Sequence, residues 1–600
     1  MTRQHDRRHL LSALAIALSS GACTDDTTTA MADGSDGAPA EGSSSTAPSD
    51  ASSGDADASS DDGGSTGEDE TPQIVPLSPT EQLVRVSMAL RGTRPSPDEL
   101  TAVAADPDAL ASYVDTYLAS PDFGETIREL HDDAWLVGSE NPFPQLDPLA
   151  DRFATEIGRA VSQSPLRLAE FIVTHDRPYT ELVTADYLVL DEIGASVWGV
   201  AFDPSGDALQ QTPLLEGVPA AGVLSDPELF VRHRSDAANY NRGRANMVSS
   251  SLLCTNFLDR DIEVDGTVDL ADPDAVSEAV RTNPACASCH QTLDGLASFM
   301  WGWRGLLNPG LSTEYPLLMW GPNLVDDWEQ KTGRPPNYFG TDGTDLASLG
   351  QLIADDPRFS LCTAQRFYAF FHQVPLAEVP LERAAELQTI LIDSGFSAKA
   401  VVRAIVLDDE FLRSHTDDAA LAEDVRGLKK ARPSQLARTF AASTGFVWQT
   451  NLDMPPFPEP KYMGDIDLLR GTQYGFAVLG GGIDGRFVET AADTVNATTS
   501  LMVRQLAQQA AAHVVASDFA EPDHAQRRLL DGVGPSDSDE ATIVAQLVVL
   551  HAKLYGELVL ADNPSVRDAW TLWSAGADDP TRAWVVTLAA MLQDHRILFY

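Results

Sequence analysis

Two cysteines and a histidine form the segment of this sequence whose residue types and spacing point most directly to chemistry. Cys286 and Cys289 are separated by two residues, and His290 follows the second cysteine at once. Thiols one helical turn apart can each form a thioether with one vinyl group of a haem, and the adjacent imidazole can then ligate the iron. The spacing therefore predicts one covalently bound haem c, with His290 as an axial ligand.

Three other interpretations of this motif stay open from the sequence alone. The two cysteines could be buried, or joined by a disulfide bond, beside a surface histidine. A zinc site would need further ligands, yet the chain has only five cysteines and no second Cys-x-x-Cys pair. A thioredoxin-like redox pair should lie at a turn from a strand into a helix, whereas the flanks here have helical patterns.

The first 23 residues have the pattern of a bacterial export signal. Three arginines precede an apolar run at 10–18, which is too short to span a bilayer. Small residues then lead to a lone cysteine, Cys23, as at a lipoprotein cleavage site. The pattern predicts a lipoprotein signal peptide over 1–23 with Cys23 as the lipidated residue; the alternative is an ordinary secretory signal that is cleaved near Ala22.

Charge and composition describe the next segment and limit the partners. Residues 24–72 contain 13 Asp and Glu and no Lys or Arg, with almost no large apolar side chain. Such a segment cannot bury enough surface to offset its chain entropy, so we predict a disordered acidic tether. The whole chain has a net charge of −48, which argues against nucleic acid and anionic membrane surfaces as partners. Membrane contact is expected through the lipid anchor only.

The rest of the chain has the apolar spacing of a mainly α-helical protein. Ser78 and Ser96 each begin a capping box that has proline at the first helical position. An Asp followed closely by a Phe, at Phe123, Phe359, Phe411 and Phe519, is interpreted as the end of a helix. Helical spacing of apolar residues also predicts helices over 108–119, 399–407, 501–515, 543–560 and 584–592.

The order of several short motifs adds a resemblance to a family. These motifs stand at 95–100, 117–123, 176–187, 241–244, 286–290 and 339–340, with Cys362 after them. Their order over about 78–415 resembles the planctomycete-type secreted cytochrome c-like family, multi-domain proteins of mostly unknown function with a single Cys-x-x-Cys-His haem motif. The sequence departs from that family after the motif, where Asp294-Gly295 replaces the usual Asp-Pro.

The resemblance and the changes in composition imply a multi-lobed helical protein with a cytochrome c-like haem-motif domain. Beyond the signal and the tether, the predicted parts are an N-terminal helical domain over 73–220, a haem c motif domain over 221–325, a helical closing domain over 326–415, a linker over 416–433 and a C-terminal helical domain over 434–600.

The second axial ligand of the iron is less well defined than the first. Met319 is favoured because it is far enough from His290 in sequence to fold over the other haem face. Met300 could not reach that face along one helix, unless Gly295 ends the helix. An iron with five ligands also stays open. The remaining candidates, each more typical of core or surface positions, are Met247, His131 and His233.

Arginines and the remaining cysteines complete the predicted site. Arg242, Arg244 and Arg304 are candidates to pair with haem propionates, because guanidinium groups suit carboxylates; ordinary surface charge is the alternative. Cys254 and Cys362 are the cysteines left over, and in an oxidising compartment they are expected to form a disulfide bond around the haem motif. Two buried free thiols are the alternative.

One glycine-rich stretch, 480–485, reads Gly-Gly-Gly-Ile-Asp-Gly. It lacks the lysine of a phosphate loop and the spacing of a dinucleotide-binding fingerprint. It is therefore predicted to be a turn between helices.

These features together predict an exported, lipid-anchored, monohaem c-type cytochrome-like protein that transfers electrons at the cell envelope. Its expected location is the outer membrane or cell surface, and the alternatives are the periplasm and the surrounding medium. The expected partner is a redox protein or a small-molecule electron donor or acceptor. Two other functions stay open: a surface-anchored helical binding protein in which Cys286 and Cys289 are structural, and a haem-dependent oxidase or peroxidase with an open iron site.

Overall fold

Helices dominate the computed structural model. It describes residues 74–138, 143–230, 232–233, 235, 240–259, 266–269, 271–303, 314–315, 320–321, 324–418, 425–451 and 464–600. Of the described residues, 57% are helical and 6% lie in strands, so the predicted mainly α class is confirmed. The predicted signal peptide, Cys23 and the predicted tether lie outside the described residues.

The helices follow one another in three groups along the chain. The first group is α1 (Pro79–Arg91), α2 (Pro97–Ala105), α3 (Leu110–Leu118), α4 (Pro121–Trp135), α5 (Ala154–Ser162), α6 (Ser164–Thr174), α7 (Glu181–Thr184) and α8 (Glu192–Trp198). The second is α9 (Arg242–Leu253), α10 (Pro273–Thr282), α11 (Pro284–Ser298), α12 (Val325–Thr332), α13 (Leu346–Ala354), α14 (Pro357–His372), α15 (Leu381–Asp393) and α16 (Ala398–Val406). The third is α17 (Pro433–Thr444), α18 (Ala497–Ala520), α19 (Glu540–Tyr555), α20 (Pro564–Ser574), α21 (Pro580–Met591) and α22 (His595–Leu598).

The strands of the described residues are short and pair antiparallel, two by two. The pairs are β1 (Ile74–Pro76) with β6 (Arg413–Thr416), β2 (Tyr187–Leu190) with β3 (Gln210–Pro213), β4 (Asn337–Tyr338) with β5 (Thr341–Asp342), and β7 (Gln449–Asn451) with β8 (Asp465–Asp467). No helix in this described part has both the length and the apolarity that crossing a membrane requires.

Local sequence explains where many helices begin and end. Both predicted capping boxes are present: Ser96 Oγ accepts from the Glu99 backbone N–H at 3.2 Å, and Glu99 Oε2 accepts from the Ser96 N–H at 2.7 Å. The helix predicted over 543–560 ends earlier, at Tyr555. Gly556 adopts a left-handed conformation with φ of 75° there, and a glycine in that conformation ends helices at low cost.

Three of the four predicted Asp-Phe helix ends are correct. Phe123, Phe359 and Phe411 each follow the end of a helix and are buried. The prediction at Phe519 is wrong, because α18 continues to Ala520. The preceding Asp518 is buried inside the helix, where its carboxylate accepts hydrogen bonds from the backbone N–H groups of residues 528–530 at 2.9–3.0 Å.

Replacing Asp518 with Ala is expected to lower the free energy of unfolding by about 3 kcal/mol, because three backbone N–H groups would lose their acceptor in a buried place. Urea-induced unfolding followed by circular dichroism measures this change. Asp562→Ala, at an exposed position between α19 and α20, is the control and should change stability by less than about 0.5 kcal/mol. Equal losses in the two variants would contradict the prediction.

Contacts between distant parts of the chain join the first and last helical groups. Arg438 of α17 contacts Glu125 and Glu129 of α4 at 3.2 and 2.9 Å. Residues 429–431 pair through their backbone with residues 598–600. Glu70–Tyr600 forms one compact unit. The predicted domain boundaries inside this unit stay predictions.

Candidate haem-attachment site

One helix, α11, carries all three residues of the Cys-x-x-Cys-His motif. Its N-cap is Asn283, whose side chain accepts from the Ala285 N–H at 3.0 Å, and Pro284 occupies the first helical position. This start is favourable because proline needs no hydrogen-bond acceptor there and the asparagine satisfies an otherwise unpaired N–H. Cys286, Cys289 and His290 therefore lie in the first two turns.

The two motif thiols are free. Cys286 and Cys289 are half-buried and are not bonded to each other, and three residues apart on a helix they share one face. The interpretation of a disulfide within the motif is therefore wrong. Since α10 precedes the motif, the strand-to-helix turn of a thioredoxin-like pair is also missing. In the described residues, no group of three or more His, Cys, Asp or Glu side chains has the arrangement of a metal site.

His290 is oriented by a carboxylate one helical turn further on. Its Nδ1 lies 3.2 Å from Asp294 Oδ1. With the proton on Nδ1, this is a hydrogen bond to the carboxylate, and Nε2 keeps the lone pair that a metal needs. A histidine that binds a metal is commonly held in this way through its other nitrogen.

Arg242 in turn holds that carboxylate. At the start of α9, its Nε donates to Asp294 Oδ1 at 2.7 Å and its Nη2 to Asp294 Oδ2 at 3.1 Å. Burial alone would raise the pKa of Asp294, but the hydrogen bonds from His290 and Arg242 outweigh it and lower that pKa below its ordinary value. The group is thus an ionised carboxylate that links α9 to α11.

The other predicted propionate ligands lie elsewhere. Arg244 is fully buried, and its guanidinium donates to the backbone oxygens of His233 and Trp303 and to Asn241 Oδ1, at 2.5–2.9 Å. Burial lowers its pKa to about 9. Arg244 thus belongs to the core, where it joins α9 to the segment after α11. Arg304 and Met319 lie outside the described residues.

The alternative axial ligands occupy core positions. Met300 and Met247 are buried among apolar residues. His131 is also buried, with its ring nitrogens 2.7 Å from Ile127 O and 2.9 Å from Tyr179 Oη. Gly295 does not end α11, which continues to Ser298. A side chain at this glycine would approach the Asn337 backbone oxygen to 2.9 Å, so β4 can pack closely here only because glycine is present.

One small cavity adjoins Asp294, and Cys286, Cys289 and His290 do not line it. This cavity, of about 50 Å³, is lined by Arg242, Asp294, Tyr240 and Trp328 among others, whereas pockets for small ligands usually have roughly 300–1,000 Å³. The donor set fits covalent attachment of a haem: two free thiols on one face and an imidazole with an available Nε2. The described residues thus offer attachment points for the group, but they do not by themselves enclose it.

A disulfide bond crosses the region that contains the motif. Cys254, at the end of α9, is joined to Cys362 in α14, with an S–S distance of 2.03 Å and a sequence separation of 108. The bond therefore closes a loop that includes α10 and the whole of α11.

Asp294 is the residue of the candidate site that the sequence analysis does not assign to it. The sequence marks it only as a departure from the family pattern. Its position four residues after His290 places both side chains on one helix face, so the spacing could have indicated the pair.

Comparisons with known proteins add nothing to this geometry: no family model, no curated protein and no solved structure matches the chain. The resemblance to the planctomycete-type family stays a prediction.

Proposed function

We propose that this chain is an exported monohaem c-type cytochrome-like protein that transfers single electrons at the cell envelope. The observation that carries the proposal is the arrangement on α11. Its first two turns present two unbonded thiols and a histidine whose Nδ1 faces a carboxylate. This combination suits thioether formation and iron ligation through Nε2.

In this proposal each residue has a distinct task. Cys286 and Cys289 anchor the haem, and His290 presents Nε2 to the iron. Asp294 fixes the orientation and protonation of the imidazole, and Arg242 keeps Asp294 ionised and in place. When bound, haem c supplies a one-electron redox couple.

Further predictions from the sequence belong to the same proposal. They are the family relationship, the lipid anchor at Cys23, the cell-surface location, Met319 as the second ligand, Arg304 beside a propionate, and a redox protein or small molecule as partner.

A surface binding protein is the second candidate, and one observation favours it. The cavity that adjoins Asp294 has only about 50 Å³, far less than a porphyrin occupies, and none of Cys286, Cys289 and His290 lines it. In this alternative, Cys286 and Cys289 are structural and the helical body holds another ligand.

Production of the protein together with a c-type haem maturation system separates the two candidates. We expect the purified, denatured protein to give a pyridine haemochrome spectrum of c-type haem, and intact mass to show one covalent haem per chain. The variant with both Cys286→Ser and Cys289→Ser should lose that haem completely, because no thioether can form.

Ser288→Ala is the matched control for this experiment. Ser288 lies between the two cysteines and is exposed, so this variant should retain the full haem content. If wild-type protein carries no covalent haem while a cytochrome c made in the same cells does, the cytochrome proposal fails and the binding-protein candidate is favoured.

A further inference from the structure

A second cavity, of about 390 Å³, is lined by residues of α4 and α14 and by residues 430–432 and 489–493. The haem motif contributes no residue to it. We propose that this cavity binds a small organic acid, whose carboxylate contacts Lys430 and Arg366 while its apolar body packs against the apolar side chains of the lining.

Lys430 is the first of the two cations in this cavity. Its side chain is only 3% exposed, and Nζ donates to the backbone oxygens of Gly480 at 2.9 Å and Ala492 at 2.7 Å. A protonated lysine has three N–H donors, so one donor is left for a ligand. Burial, and next the charge of Arg432, lower the pKa of Lys430 to about 8, although the charge of Asp493 acts in the opposite direction.

Arg366 is the second cation. Its Nε donates to Ser251 O at 2.8 Å and its Nη2 to Ser250 O at 2.6 Å. Burial lowers the pKa of this guanidinium as well, to about 10. Neither Lys430 nor Arg366 forms an ion pair with a carboxylate in the described part of the chain. Because buried cations are costly without a counter-charge, a ligand carboxylate would complement both.

The acidic residues that line the same cavity already have cationic partners. Asp133 pairs with Arg432 at 2.8 Å and Glu489 pairs with Arg232, while Asp493 lies 3.9 Å from Arg426, which is closer to Glu378 at 2.7 Å. Glu489 and Asp493 are also more than half exposed, so water weakens their effect on an anion inside. Three acidic and three basic side chains thus line the cavity, and Lys430 and Arg366 are the two of these cations that form no ion pair in the described part of the chain.

Part of the cavity lining is apolar. Its side chains include Leu130, Phe370, Val374 and Leu376. The Arg432 guanidinium lies over the Phe370 ring at 4.2 Å from its centre, so this aromatic ring is held in a fixed place. A pocket of this volume, with a partly apolar lining and a few polar groups, matches the usual form of a small-molecule site. The shape favours an acid with an alkyl or aryl body over a bare inorganic anion.

The glycine-rich stretch at 480–485 explains how Lys430 reaches this place. Gly481 has φ of 93°, and a side chain there would collide with Lys430 Nζ. The N–H groups of Gly480, Gly481 and Gly482 all donate to nearby backbone oxygens. The loop amides are therefore not free to bind phosphate, and recognition of an anion rests on the side chains.

A neighbouring cavity of about 480 Å³ differs in how its cations are paired. It is also lined by several arginines, and most of these pair with carboxylates: Arg470 with Glu125 and Asp467, Arg167 with Asp191, and Arg128 with Glu170. Two buried cations that form no ion pair in the described residues thus distinguish the 390 Å³ cavity.

Isothermal titration calorimetry on the full exported protein tests the proposal, with 3-phenylpropionate and hexanoate as probes. We expect saturable binding of at least one acid, and binding of the matching amide to be at least about tenfold weaker, since a hydrogen bond between charged groups contributes about 1.5–3 kcal/mol. Lys430→Gln should weaken binding of the acid by the same factor. Ala491→Phe, at a partly exposed position in the lining, should block binding by filling the space without removing a charge.

Lys399→Gln is the matched control. Lys399 Nζ also donates to a backbone oxygen, that of Thr174, at 2.8 Å, but it does not line the cavity, so binding should stay within about twofold of wild type. Circular dichroism verifies that each variant is folded. The proposal is overturned if neither acid binds, or if an acid and its amide bind equally well. It is also overturned if folded Ala491→Phe protein binds the acids as tightly as wild type, or if inorganic phosphate binds as tightly as the acids.

Discussion

Loss of the Cys254–Cys362 bond is expected to lower the free energy of unfolding by about 4–5 kcal/mol. The bond closes a loop of 108 residues, and the loss of chain entropy in the unfolded state grows with loop length, to about this value for a loop of this size. Cys362 is also almost fully buried, so a serine there would bury a hydroxyl. The double variant Cys254→Ser, Cys362→Ser, unfolded in urea, measures the effect.

The other pair of cysteines provides the control, in protein made without haem maturation. The variant Cys286→Ser, Cys289→Ser removes two half-exposed free thiols and should change stability by less than about 1 kcal/mol. Treatment of wild-type protein with a reductant should reproduce the loss seen in the Cys254 and Cys362 variant. A loss below about 1 kcal/mol in that variant would show that the bond does not stabilise the fold.

Arg85→Met is expected to cost about 3 kcal/mol of stability. Arg85 lies on α1 with 2% of its surface exposed, and its guanidinium donates to the backbone oxygens of Phe411 at 2.9 Å, Arg413 at 2.7 Å and Gly427. Methionine has a similar length but no donor, so these oxygens would lose their partner in a buried place. Chemical unfolding of the variant gives the change.

Arg504→Met is the comparison for Arg85→Met. Arg504 is exposed on α18, and its replacement should stay within about 0.5 kcal/mol of wild type. If the free energy of unfolding falls by the same small amount in both variants, the contacts of Arg85 do not hold β6 and residue 427 to α1. A larger loss at Arg85 combined with faster proteolysis near residues 413–427 would support the assigned contacts.

Local features of the sequence predicted much of the fold. The capping boxes at Ser78 and Ser96 depend on neighbouring residues only, so they can be read directly and are present. The positions of helix ends are harder to predict, since they depend on partners that are distant in sequence. Asp518 stays inside α18 because residues 528–530 supply donors to it, and no local pattern indicates that.

Buried charges were the main feature that the sequence could not predict. Arg85 and Lys430 would ordinarily be assigned to the surface, because lysine and arginine are rarely buried without a partner. Their partners are backbone oxygens 50 to 342 residues away in sequence, which side-chain patterns do not indicate. At the candidate site the sequence predicts more. The spacing of the motif identifies Cys286, Cys289 and His290, and Asp294 is only four residues after His290, so the pair could be predicted from sequence spacing alone.

Under the proposed function, the two pairs of thiols in this chain face opposite requirements in an oxidising compartment. One pair must be oxidised to close its loop, whereas the other must stay reduced until a haem is attached. Side chains three apart within a helix have Cβ atoms about 5–6 Å apart, while a disulfide needs about 3.5–4.5 Å. Early formation of α11 would therefore protect its own thiols against oxidases, and the order of folding and oxidation would decide whether the chain matures or is trapped.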